Sequence, residues 1–196
     1  MGGYIKKSSY YDKKDSDIKV PCDCGKEIDC AKCEPLSPCP KKILVECGTI
    51  GGRMMLTTLG QTFDMANVTV DTSCFCKPTT EIQFSSQVSA VLEPNAGDDG
   101  GLIAEITLLY ELICRRNGGG DITIGSWMFR RFLSEGFQDL ETTDTFSFSK
   151  CVCPEPCQGC TSYFVRVTVI SLNESTEVTN TATVSNGQLV AKIQEC

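Results

Sequence analysis

EIQFSSQVSAVL, residues 81–92, reads as a strand with one dry face. Ile82, Phe84, Val88, Ala90 and Leu92 fall on one side; Glu81, Gln83, Ser85, Gln87 and Ser89 fall on the other. Successive side chains of a strand point to opposite faces, so a period of two marks a half-buried strand rather than a helix. The same period recurs on both sides of this stretch. Downstream, Leu102, Ala104, Ile106, Leu108, Tyr110 and Leu112 share a face opposite Glu105, Thr107 and Glu111. Upstream, Ala66, Val68 and Val70 alternate with Asn67, Thr69 and Asp71, and Ile43, Val45 and Cys47 lie opposite Leu44 and Glu46. Further strands are marked by Ile122 and Ile124, by Phe146, Phe148 and Val152, by Tyr163, Val165, Val167 and Val169, and by Ala182 and Val184.

The breaks between these segments hold turn-forming residues: residues 93–101 (EPNAGDDGG), residues 117–121 (NGGGD), and Asn186-Gly187. The apolar residues from Trp127 to Phe137 also suit a short helix. Ser134, Gly136 and the run from Thr142 to Asp144 interrupt helical spacing, which favours a strand to about Phe132 and then a loop. About eight strands at this spacing, with no long helix, predict an all-β fold: a jelly-roll-like antiparallel β-sandwich over residues 42–196.

Residues 1–41 differ in kind. Residues 1–21 are polar and rich in Lys and Asp, and read as a flexible arm. Residues 22–40 (CDCGKEIDCAKCEPLSPCP) hold Cys22, Cys24, Cys30, Cys33 and Cys39, with only Ile28 and Leu36 as large apolar side chains. So little apolar surface cannot support a core. The segment is expected to be an extended, cysteine-rich N-terminal connector, fixed either by a metal or by disulfides.

Composition narrows the function. The formal net charge is −7, which argues against nucleic acid as a partner. There is no histidine, which removes the commonest general base and the His-containing triads and zinc sites. Asp and Glu fall mostly on exposed alternating positions, where a solvated surface is the simpler reading than an acid/base pair. No Gly-rich phosphate loop follows a strand, and a non-enzymatic protein without cofactor is expected. No apolar run is long enough to span a membrane, and the first twenty residues lack the apolar core of a secretory signal.

Fourteen cysteines in 196 residues is a disulfide-type composition. A second cluster is C-x-C-x3-C-x2-C at Cys151, Cys153, Cys157 and Cys160; Cys47, Cys74, Cys76, Cys114 and Cys196 complete the set. The C-x2-C elements allow a cytosolic zinc or iron module, although each cluster pairs C-x2-C with C-x-C and carries prolines that restrict the loops. Disulfides are the other reading. Residues in C-x-C rarely bridge to each other, so they reach outward to different partners. By strand parity Cys47 and Cys114 are expected to point inward, as buried thiols or as bridges. Cys151 and Cys153, opposite in parity to Phe146, Phe148 and Val152, are expected to face outward. A catalytic cysteine is disfavoured without a histidine beside it.

KKILVECGT (residues 41–49), ANVTVDTSCFCKPTTEIQFSS (66–86), GSWMF (125–129) and TVSNGQLVA (183–191) resemble an uncharacterised cysteine-rich domain family of clostridia and related spore formers. The resemblance spans about residues 41–193, and CFCKP is its most specific part. More loosely, the layout resembles endospore appendage subunits. That resemblance implies a structural subunit made in the mother cell without a signal peptide. It implies polymerisation by β-sheet augmentation into a helical filament of identical subunits, with related subunits as further partners. It also implies intersubunit disulfides from the connector (Cys22, Cys24, Cys30, Cys33, Cys39) to β-domains further along the fibre. The receiving cysteines it suggests are Cys74, Cys76, Cys151 or Cys153. A carbohydrate-binding jelly roll is a third possibility, on fold analogy alone.

Overall fold

The computed structural model describes residues 43–72, 75, 78–93, 104–116, 119–133, 140–152, 160–172 and 180–195. They form nine strands: β1 (Ile43–Cys47), β2 (Met54–Leu56), β3 (Thr62–Asp71), β4 (Pro78–Leu92), β5 (Ala104–Arg116), β6 (Asp121–Leu133), β7 (Leu140–Val152), β8 (Cys160–Leu172) and β9 (Thr181–Glu195). One antiparallel sheet has the order β1-β9-β4-β7, with β2 also pairing β9; the other has the order β3-β8-β5-β6. β1 and β2 take successive stretches of the same β9 edge, so they act as two pieces of one broken strand. Counted that way, eight strands lie in two four-stranded sheets, with the chain crossing between them at nearly every step. That is a jelly roll, as the sequence predicts.

The core follows from the alternation. Ile82, Phe84, Val88, Ala90 and Leu92 of β4 are all buried, as are Ala104, Ile106, Leu108, Tyr110 and Leu112 of β5. β5 ends at Arg116 and β6 begins at Asp121, so the expected break falls between two paired strands. At the β6/β7 side of the sandwich the closure is aromatic and ionic. Trp127 stacks on Phe148 with ring centroids 3.8 Å apart, and Tyr110 meets Phe146 at 4.2 Å. Arg131 of β6 reaches across to Asp144 of β7, its Nε donating to Oδ2 at 2.8 Å. Thr142 to Asp144 belong to a strand because they pair with Ala90, Ser89 and Val88 of β4, so the polar break read there is the start of β7.

Two other expectations are corrected, and one strand, β2, is not expected at all. β2 lies in a stretch without alternation and is too short to announce itself. Asn186-Gly187 is not a turn between strands but a bulge inside β9. Ser85 pairs with Gln188 and Gln87 with Ser185, so two residues of β9 oppose Ser86. Asn186 supplies the left-handed backbone, with φ of 54°. Finally, β1 is turned over. Cys47 is exposed, and so are Ile43 and Val45 at 56% and 54% of their surface. Leu44 and Glu46 take the half-buried side because they pair with Ile193 and Ala191 of β9, which are fully buried.

Candidate functional site

The outer face of the β1-β9-β4-β7 sheet is organised in rows set by strand register. One row runs Cys47, Val190, Gln83, Ser149; the next runs Val45, Lys192, Glu81, Cys151. Gln83 Nε2 donates to Glu81 Oε1 at 2.9 Å and links the two rows. An open groove of about 580 Å³ lies over the centre of this face, its floor set by Gln83, Ser85, Ser147, Ser149, Gln188 and Val190. The small Ser side chains of β4 and β7 keep it shallow.

Cys47 and Cys151 are exposed, free thiols at the two opposite edges of this one face. Three strand spacings and one row separate them, about 16 Å from a spacing of roughly 4.8 Å and a two-residue step of roughly 6.8 Å. A disulfide needs Cα atoms within about 7 Å, so the two cannot bridge within one chain. Cys151 faces outward as its parity implies; Cys47 does so against expectation. Parity alone sorts β1 into two faces, and only the pairing with β9 says which is outward.

Cys114 differs from both: it is fully buried on β5 and disulfide-bonded. Cys160 opens β8 opposite Asp71. The expectations for Cys22, Cys24, Cys30, Cys33, Cys39, Cys74, Cys76, Cys153, Cys157 and Cys196 lie outside the described residues, as do those for the connector arm.

Among the described residues, the edges around these thiols are unpaired. Among those residues β7 pairs only with β4 over its thirteen residues, β6 only with β5, and β1 only with β9. Unpaired edge N–H and C=O groups are templates for another strand. Beside Cys47 the β1 and β2 edge adds exposed apolar side chains: Ile43, Val45 and Met55.

The outer face of the other sheet is occupied by its own ion pairs. Arg115 grips Asp121 with bonds of 2.6 and 2.9 Å, and Arg166 donates to Asp64 at 2.8 Å. The two guanidiniums lie over the ring of Phe164, at 4.8 and 5.3 Å from its centroid. Arg115 holds the Asp121 carboxyl below its ordinary range, and Arg130 does the same for Glu105. These charges neutralise one another in pairs.

Among the described residues no group of three or more Cys, Asp or Glu could hold a metal ion. The chemistry this face offers is that of two thiols at two open edges.

Among solved structures, the chain is similar to one in the structure of infectious bursal disease virus Gt strain. Identity there is 10% and the TM-score 0.40, covering 78% of this chain and 33% of that one. A chain of the infectious bursal disease virus VP2 subviral particle gives 10%, 0.40, 78% and 32%. Eiger TNF from S. frugiperda gives 8% identity and a TM-score of 0.29 over 73% of this chain and 92% of that one. This chain thus spans about a third of the length of the viral chains it matches. No curated protein matches it. A family model described as a domain of unknown function (DUF4489) matches residues 40–193, from the start of the first strand almost to the end of the last, and the chain belongs to that family.

Proposed function

We propose that this chain is a structural, non-enzymatic subunit of a self-assembling extracellular or spore-surface fibre of the endospore-appendage kind. Residues 42–196 are the building block and residues 1–41 the cysteine-rich connector. Copies polymerise by β-sheet augmentation, and intersubunit disulfides lock the polymer, among them bridges from Cys22, Cys24, Cys30, Cys33 and Cys39 to neighbouring β-domains. The subunit is made in the mother cell and oxidised on release.

The observation that carries this reading is the placement of two exposed thiols at opposite open edges of one sheet face. An edge pairing of unlike surfaces is heterologous, and a heterologous contact that does not close gives a helical filament. A bridge across each joint then makes dissociation slow until it is reduced.

Negative-stain images and heating in detergent with and without reductant test the proposal. The expected result is filaments that run as a ladder unreduced and collapse to monomer on reduction. A discrete monomer without reductant overturns it. So does stoichiometric zinc or iron on a fully reduced, unpolymerised chain, which identifies a metal-binding module instead.

A further inference from the structure

We propose that β1 of one copy lies beside β7 of the next, and that Cys47 of the first copy is disulfide-bonded to Cys151 of the second. The inference rests on the reading of the chain as a self-assembling subunit and names one of its joints.

Strand direction permits the contact. The four strands β1-β9-β4-β7 alternate in direction, so β1 and β7 run antiparallel to each other at the two edges. A second copy placed alongside in the same orientation therefore brings β1 against β7 as an ordinary antiparallel pair. No inversion of the subunit is needed, and the face that carries both thiols stays on one side of the extended sheet.

The backbone groups also match. Gly48 N–H donates to Leu189 C=O at 2.8 Å, so the peptide groups of Gly48, Glu46 and Leu44 face β9. Those of Cys47, Val45 and Ile43 face the free edge, because the groups alternate along an antiparallel strand. Carrying the alternation along the row through Val190 and Gln83 leaves the peptide groups of Ser149, and hence of Cys151, on the free edge of β7. Opposed residues of this hydrogen-bonded type have Cα atoms about 5.5 Å apart, inside the disulfide range. Continuing the sheet with a stagger of one side-chain pair sets Cys47 directly opposite Cys151.

Charge selects this pairing over the two like-edge alternatives. In the staggered arrangement Glu46 of β1 and Lys150 of β7 are diagonal neighbours on the opposite face from the thiols. Two β1 edges together bring Glu46 toward Glu46, and two β7 edges bring Lys150 toward Lys150. A charged side chain on the inward side of an edge strand guards against indiscriminate pairing. Here the guard on one edge is matched by its opposite on the other, so the unlike edges are the permitted pair.

The chemistry is thiol–disulfide exchange with a small-molecule disulfide such as oxidised glutathione. One protein thiolate attacks the oxidant, forms a mixed disulfide and expels one glutathione thiolate. The second protein thiolate attacks the protein sulfur of that mixed bond and expels the other. Two thiol protons pass to the two released glutathiones, the oxidant gains two electrons, and one protein S–S bond is formed.

The test uses the full chain, prepared separately with natural-abundance and ¹⁵N-labelled nitrogen, mixed, oxidised with glutathione disulfide, digested and analysed by mass spectrometry. The expected product is a peptide joining Cys47 to Cys151 with mixed isotopic composition, lost entirely in Cys47→Ser and in Cys151→Ser. Both positions are exposed, so both variants should keep the wild-type circular dichroism spectrum. Glu46→Lys should slow formation of this peptide several-fold, and Glu46→Lys with Lys150→Glu should restore it. If the peptide is absent while a reducible ladder persists, this joint is wrong and the self-assembly reading stands. If no ladder forms either, both are wrong. A peptide found only within single isotopic species also overturns the inference.

Discussion

Alanine at Gly48 should loosen the strand that carries Cys47. A Cβ at this position would lie 2.1 Å from the carbonyl oxygen of Asn67 and 2.8 Å from that of Leu189. Both obstacles are backbone, so neither can swing aside. Carbon–oxygen contacts settle near 3.3 Å, so the chain must retreat by about 1 Å. Two backbone hydrogen bonds sit at this crossing: Gly48 N–H to Leu189 C=O at 2.8 Å, and Thr49 N–H to Asn67 C=O at 2.9 Å. Losing or stretching both costs about 1–3 kcal/mol, and the overpacking adds about 1–3 kcal/mol. A total near 3 kcal/mol lowers Tm by about 6–12 °C for a chain of this size. Gly52 is the matched control, since a Cβ there meets nothing within 4 Å. Its alanine variant should be neutral, or more stable by about 0.4–1 kcal/mol through loss of unfolded-state freedom. Thermal melts of the two variants under one redox condition decide the matter. If Gly48→Ala melts within 1 °C of Gly52→Ala, the chain does not pass between β3 and β9 as closely as described.

Two further outcomes follow from the core. Tyr110 and Tyr163 are buried, and burial pushes both hydroxyls up to about 12. In the unfolded chain they ionise near 10, so the stability they contribute is intact below about pH 10 and is lost as pH rises toward 12. Urea midpoints at pH 8 and pH 11 should therefore differ by several tenths molar or more, and equal midpoints would show these hydroxyls to be solvated. Phe148→Ala removes the ring stacked on Trp127, the single tryptophan of the chain. It should cost about 3–5 kcal/mol and shift the fluorescence emission to the red, and unchanged emission would sink the stacking arrangement.

The alternation made most of the body legible. In β4 and β5 every apolar residue of the expected face is buried, because both strands sit inside their sheets and have one wet side. The same reasoning misled at β1, where Ile43 and Val45 are as apolar as any core pair yet face outward. Periodicity sorts side chains into two sets. Which set turns inward is a tertiary fact, fixed here by the buried Ile193 and Ala191 across the ladder. Strand order was not readable either, since β9 must come back between β1 and β4 and nothing local announces it. The candidate site shows the same division. Cys151 could be placed by parity within a strand of strong pattern, whereas Cys47 could not. The charges of Glu46 and Lys150 acquire meaning only when the two edges are compared.

The bulge at Asn186 has a consequence for how this sequence can vary. Before it, Ala182 and Val184 point into the core; after it, Leu189, Ala191 and Ile193 do. The dry set passes from even to odd numbers at that point, so the bulge works as a phase shifter between two half-strands. Deleting one residue there would straighten the ladder and bring the second half into the even set, so both halves would keep their dry faces. The same deletion between Leu189 and Ala191, with the bulge kept, would instead turn Ala191 and Ile193 outward and drive Lys192 inward. A one-residue deletion is therefore accommodated at Asn186-Gly187 and not in the regular ladder beyond it. Away from the bulge, the length of the strand that both β1 and β4 pair with is fixed by parity rather than by the chemistry of any one side chain.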